Sequence, residues 1–242
     1  MMTSKKDGAT LSGLPLAGMI FTDPATAFAE LRQRPRFWLP LLLIALSSAA
    51  VTFWYFKMVD YEWFKDFTIN SNPLLRNIDE AGRARVAASM GKAPSMWNSL
   101  LAVPITLSVM FALQALYYFL AGKVTKLGES YKTWFALMTW SSLPALIGLL
   151  IVAVLLASKG LGLQMGYEQL QALSINELIL HREPGSPGYG LVSSIGVLSV
   201  WVWWLRVIAV RTWSNRSWLF SSLFVLLPVA IFYGGWAAWA FR

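Results

Sequence analysis

Apolar residues in this chain come in long blocks, not in alternation, and two blocks set the pattern. Residues 98–120 and 133–157 contain no Asp, Glu, Lys, Arg or His. Each is long enough to cross a hydrocarbon core of about 30 Å, which takes roughly 20 helical residues. The short loop between them carries Lys123, Lys126 and Lys132, so the pair reads as a membrane hairpin with its turn in the cytoplasm. Similar blocks at 37–56, 189–210 and 218–241 complete the set, the last two joined by Arg211-Thr-Trp-Ser-Asn-Arg216. The expected fold is an all-α membrane protein of five transmembrane helices, N-terminus cytoplasmic and C-terminus external. On that arrangement the cytoplasmic side collects 11 basic and four acidic residues, and the external side nine and eight. Both short loops that decide orientation are basic.

The segments between the blocks predict smaller features. Residues 1–20 are polar, then punctuated by Gly and Pro, and are expected as a flexible cytoplasmic tail ahead of a membrane domain over 21–242. Asp23 suits an N-cap and Pro24 the first helical position, predicting a short interfacial helix over 24–33. Its expected buried side carries Ala25, Phe28, Ala29 and Arg32, with Phe21 folding back on Phe28 or Ala27 as a staple. In the outer loops, Asn77-Ile-Asp-Glu predicts a helix ending near Gly91. A second start is expected at the capping box Ser174-Ile-Asn-Glu.

Composition agrees with the pattern. Of 242 residues, 57% are hydrophobic and 13% charged, against about 25% charged in a soluble globule. The net charge of +8 comes from basic residues beside apolar blocks, which favours anionic lipid heads over nucleic acid. There is no Cys, and His181 is the lone His, so disulfides, thiolate nucleophiles and multi-His metal sites are excluded. No cofactor is expected. Gly-x-Ser-x-Gly, His-Glu-x-x-His and phosphate-loop patterns are absent, and no catalytic residue is predicted.

Two blocks echo one another. Lys132-Thr-Trp-Phe is matched by Arg216-Ser-Trp-Leu, and Leu143-Pro by Leu227-Pro, at a constant offset, suggesting parallel hairpin repeats. By Asp23-Pro-Ala-Thr-Ala-Phe, Gly128-Glu-Ser-Tyr-Lys-Thr-Trp-Phe, Ser142-Leu-Pro and the five-span arrangement with a cytoplasmic N-terminus, this chain resembles the bacterial members of the Yip (Ypt/Rab-interacting protein) family. The resemblance implies residence in the bacterial cytoplasmic (inner) membrane and no established reaction. Eukaryotic relatives engage small GTPases through a longer N-terminal region bearing an Asp-Leu-Trp-Gly-Pro-like motif, which this chain lacks, so GTPase binding is not expected. The expected partners are membrane lipids and other membrane proteins, a second copy included. The expected role is non-enzymatic, organising those partners through helix faces. Alternatives are passage of a lipid or small solute through kinked hairpins, and an accessory subunit role.

Ionisable groups inside a bilayer mark functional sites. Only Arg206 qualifies, five residues (about 7.5 Å) before Arg211, and it is expected to snorkel to the interface beside Trp203 and Trp204, with a lipid-phosphate or inter-helix role as the alternative. Arg206, Trp203, Trp204, Arg211 and the deep Gln114 are therefore the candidate lipid or partner contacts. Ser141, Ser142 and Thr139 are further polar groups at depth. Pro104, Pro144 and Pro228 are the candidate kinks, since each removes a helical N–H.

Overall fold

Lipid offers a backbone no hydrogen-bond partner, so an apolar run within it satisfies its own N–H and C=O groups as helix. The computed structural model describes residues 13–72, 75 and 78–241, and the elements it defines there are all helical. In chain order they are α1 (Gly13–Thr22), α2 (Pro24–Gln33), α3 (Trp38–Met58), α4 (Tyr61–Ser71), α5 (Glu80–Ser89) and α6 (Lys92–Val124). There follow α7 (Tyr131–Ser141), α8 (Ala145–Lys159), a 3-10 turn at Tyr167–Leu170 and a π turn at Asn176–Leu180. Last come α9 (Tyr189–Ser194), α10 (Val197–Ser214) and α11 (Trp218–Ala240).

Among the described residues four helices are long and apolar enough to cross a membrane: α3, α6, α7 with α8 as one rod, and α11. The block expected at 189–210 is divided. It breaks at Ile195-Gly196 into α9 and α10, and α10 holds Arg206, Arg211 and four tryptophans within its 18 residues. The break is imposed from outside. Residues 173–175 lie along it, with the Ile175 N–H donating to the Ile195 carbonyl (2.7 Å) and the Val197 N–H to the Leu173 carbonyl (3.0 Å). A Cβ at Gly196 would collide with the Leu173 carbonyl oxygen, so glycine is what lets the two backbones meet.

The N-terminal segment departs from expectation. Residues 1–12 lie outside the described residues, but 13–22 form α1, with Leu16 and Ile20 fully buried. Pro15 falls in the first turn, where a missing N–H costs nothing. The helix α2 does begin as predicted, Asp23 accepting from the Thr26 N–H at 3.2 Å. Its buried side is Ala27, Phe28 and Leu31, sunk between α10 and α7, so that side packs on protein. Phe21 makes no staple: its ring meets Trp201 edge-on at 5.6 Å.

Two cores result. The larger joins Leu16, Phe28, Phe111, Trp134, Trp140 and Trp213; the smaller joins Tyr55, Val59, Val152, Leu156 and Leu170. At the first core's end, Arg32 pairs with Glu129 (2.6 Å) and Arg216 donates to the Thr125 carbonyl (2.7 Å). Thus α2, the α6–α7 turn and the α10–α11 turn share one end, here termed the basic end. The far end holds α4, α5 and the segment 160–188. There Arg182 lies over Phe241 at 5.4 Å, bringing in the end of α11. The helix expected from Asn77-Ile-Asp-Glu is α5, capped by Asp79 on the Gly82 N–H (2.8 Å); Asn77 lies outside the described residues. At the second expected start, Ser174 Oγ accepts from the Glu177 N–H (3.2 Å), but the Glu177 carboxylate takes the Asn176 amide, not a cap N–H.

Candidate functional site

The site begins with Pro144. It has no N–H to give the Trp140 carbonyl, and here the chain tightens through i→i+3 bonds: Ser142 N–H to the Thr139 carbonyl and Leu143 N–H to the Trp140 carbonyl, both 3.3 Å. The Met138 carbonyl thereby loses the Ser142 N–H that a continuous helix would send it. Side chains replace it: Ser142 Oγ donates to it at 2.8 Å and Ser141 Oγ at 3.3 Å. With their protons committed, both hydroxyl oxygens are left as acceptors.

Arg206 fills that demand. Its Nε donates to Ser141 Oγ at 3.1 Å, Nη2 to Ser142 Oγ at 3.5 Å, and Nη1 to Gln114 Oε1 at 2.8 Å. The residue is 7% exposed. Gln114 and Tyr118, one turn apart on α6, bring their face to it, and Tyr118 is close enough to couple electrostatically with the guanidinium. Among the described residues no carboxylate pairs with Arg206. A full positive charge is thus held in the bundle by neutral acceptors from α6 and the α7 break. Hydrogen bonds to a charged group contribute about 1.5–3 kcal/mol each, which offsets part of the cost of removing it from water.

The snorkelling expectation is therefore corrected. The guanidinium turns inward, because three oriented acceptors lie there and α10 packs on α7. Among the other candidates, Gln114 joins Arg206, whereas the rest form separate contacts. Trp203 packs edge-on against Tyr233 of α11 at 5.9 Å. Trp204 stacks on Trp218 at 5.3 Å, both about half exposed, and Arg211 lies over the same Trp218 ring at 5.5 Å. Arg211 also donates to the Arg216 carbonyl, closing the turn. Sequence reasoning missed Tyr118; its spacing from Gln114 was the available signal.

The prolines behave differently. Pro144 breaks its helix, while Pro104 and Pro228 sit inside α6 and α11, which run on through them. The Phe224 carbonyl freed by Pro228 receives the Tyr117 hydroxyl at 3.5 Å. The echoed tryptophans differ as well: Trp134 is fully buried among Tyr118, Trp213 and Phe224, whereas Trp218 is half exposed. His181 and Glu177 form no pair; His181 ends the π turn in a left-handed conformation (φ 47°).

No curated protein and no solved structure matches the chain. The Yip1 domain family model matches residues 17–238, beginning within α1 and ending near the close of α11, and on that extent the chain belongs to the Yip1 domain family.

Proposed function

We propose that this integral membrane protein is a non-enzymatic organiser of the bacterial cytoplasmic membrane, holding other membrane proteins or lipids against its outer helix faces. The Yip1 family is not a family of enzymes. The observation that carries the reading is the contrast between a closed polar centre and open apolar flanks. Arg206 is satisfied internally, and Ser141, Leu143 and Pro144 beside it are buried, so the kink packs shut instead of lining a path. Outside, Leu101, Ile105 and Leu113 of α6 and Leu219, Leu223 and Ile231 of α11 are each more than half exposed. Faces of this kind meet lipid or another helix by van der Waals packing.

The proposal includes five spans, with α10 as the fourth and α11 as the fifth, the N-terminus inside and the C-terminus outside. The shared position of both basic turns and α2 supports it, because cations gather on the cytoplasmic side. The test pairs two measurements on the reconstituted full chain. Photo-crosslinkers at Leu113 and Leu227 are expected to trap a membrane protein or a second copy, and vesicles carrying the protein are expected to release solute and flip lipid no faster than empty ones. Adducts to bulk lipid alone, or accelerated flux, would overturn the reading.

A further inference from the structure

At the far end, α3, α4 and the 3-10 turn enclose a cleft of about 370 Å³. Its walls include the rings of Tyr55, Phe56, Phe64, Phe67 and Tyr167, together with the carboxylate of Glu168. Among the described residues no Lys or Arg lines it. We infer that this cleft is a binding site for an organic ammonium group, such as an ethanolamine or choline headgroup. The inference is independent of the organiser role; it rests on the chain's membrane character and on the chemistry of the cleft.

Three observations carry it. The first is charge. Aromatic faces attract cations, and an ammonium over several rings with a carboxylate beside it is the arrangement that recognises such ligands. Glu168 is exposed, and among the described residues no cation pairs with its side chain. Glu168 lines the cleft together with Tyr55 and Tyr167, which puts it beside the rings. A ligand offering phosphate without an ammonium group would be repelled. A divalent metal would find one carboxylate, and no group of three or more potential metal-binding side chains occurs among the described residues.

The second observation is rigidity. Tyr55 is fixed by its hydroxyl, which donates to the Met165 carbonyl at 2.9 Å, and by edge-on contacts to Phe56, Phe64 and Tyr167 at 5.3–6.2 Å. Phe67 is stacked on Trp63 at 4.7 Å. The 3-10 turn is held by the Gly166 N–H donating to Gln169 Oε1 at 2.7 Å. A Cβ on Gly166 would sit 2.7 Å from the Phe67 ring, so glycine brings the turn, and Glu168 with it, up to the aromatic wall. A site built this way binds without first ordering its own side chains.

The third is depth. Tyr55 lies in the last turn of α3, whose 21 residues span about 30 Å, the thickness of the hydrocarbon core. The cleft therefore opens at the headgroup level, where lipid ammonium groups are concentrated.

Native mass spectrometry of the purified full chain tests this, with equimolar phosphatidylethanolamine and phosphatidylglycerol added. The wild type is expected to retain the ethanolamine lipid over the glycerol lipid by about fivefold, the size of one cation–π contact. Glu168→Gln and Phe67→Ala are expected to lose that preference. Glu183→Gln, an equal charge change elsewhere at this end, is expected to keep it. Free ethanolamine in a second arm separates the sources: displacement of the lipid assigns a site for small ammonium ions, and persistence assigns a lipid site. No preference in the wild type, or one that Glu168→Gln leaves intact, would overturn the inference.

Discussion

The guanidinium of Arg206 shows what one buried charge asks of its neighbours. A snorkelling cation would tolerate lysine, and the sequence alone led to that expectation. The fork seen here does not: Nε, Nη1 and Nη2 each serve a different oxygen, and one ammonium on a shorter reach cannot serve all three. Arg206→Lys is expected to lower stability by about 2–4 kcal/mol through lost charged hydrogen bonds. Arg206→Met removes the charge together with its desolvation cost, leaves both serines on the Met138 carbonyl, and is expected to melt no lower than the lysine variant. Thermal unfolding of the purified proteins ranks the three; a lysine variant that melts with the wild type would mean the fork contributes nothing. Asp60 gives a residue-scale prediction outside the membrane. Its carboxylate accepts from Gln164 Nε2 (2.9 Å) and the Trp63 N–H (3.3 Å), which holds its pKa below the ordinary carboxylate range. Because the folded pKa is depressed, the contribution to stability is present above the unfolded pKa and lost as pH falls through the folded one. Melting of Asp60→Asn is therefore expected to depend less on pH than the wild type does below about pH 4.

Among the helices, the junction between α9 and α10 is the least forgiving. The 173–175 segment can approach it only at Gly196, and an alanine there must push against backbone that cannot rotate away. Gly196→Ala is expected to cost about 1–3 kcal/mol and to speed proteolysis within 171–188, measured by melting and limited digestion. An unchanged digestion rate would show that the pairing contributes little. This break was hidden in the sequence because Gly196 lies in an otherwise unbroken apolar run, and its partner is 22 residues upstream. The long apolar rods α3, α6 and α11 were legible, since hydropathy acts on each alone. The three prolines were legible as residues, but not which of them would interrupt its helix. Pro228 resembles Pro144 in sequence, yet Tyr117 from another helix takes the freed carbonyl and α11 continues. At Pro144 the freed Trp140 carbonyl accepts from the Leu143 N–H, the adjacent serines cover the Met138 carbonyl, and the helix ends. Likewise α1 escaped notice because Pro15 reads as punctuation, although at a helix start it is permitted.

At the scale of the whole molecule, four contacts tie the N-terminal helices and the two basic turns into one end. They are Arg32 with Glu129, Trp213 Nε1 with the Phe28 carbonyl (2.8 Å), Arg216 with the Thr125 carbonyl, and Trp140 Nε1 with the Arg36 carbonyl. A chain whose α2 and both turns lie together must cross between ends an odd number of times before α11 finishes at the other. The Arg182–Phe241 contact places that finish among the far-end loops. That geometry supports α10 as a crossing in the proposed five-span arrangement, even though its two arginines and four tryptophans make it less apolar than its neighbours. Cation density then favours the end with Lys123, Lys126, Lys132, Arg211 and Arg216 as cytoplasmic. Reporter fusions after Arg216 are expected to read cytoplasmic, and fusions after Glu80 and at the C-terminus external. A cytoplasmic reading at the C-terminus would require α10 to lie along the surface, drawing Arg206 out of contact with Gln114. That outcome would dissolve the polar centre and the organiser role together, while leaving the ammonium cleft, which is built from α3, α4 and the 3-10 turn, to be judged by its own experiment.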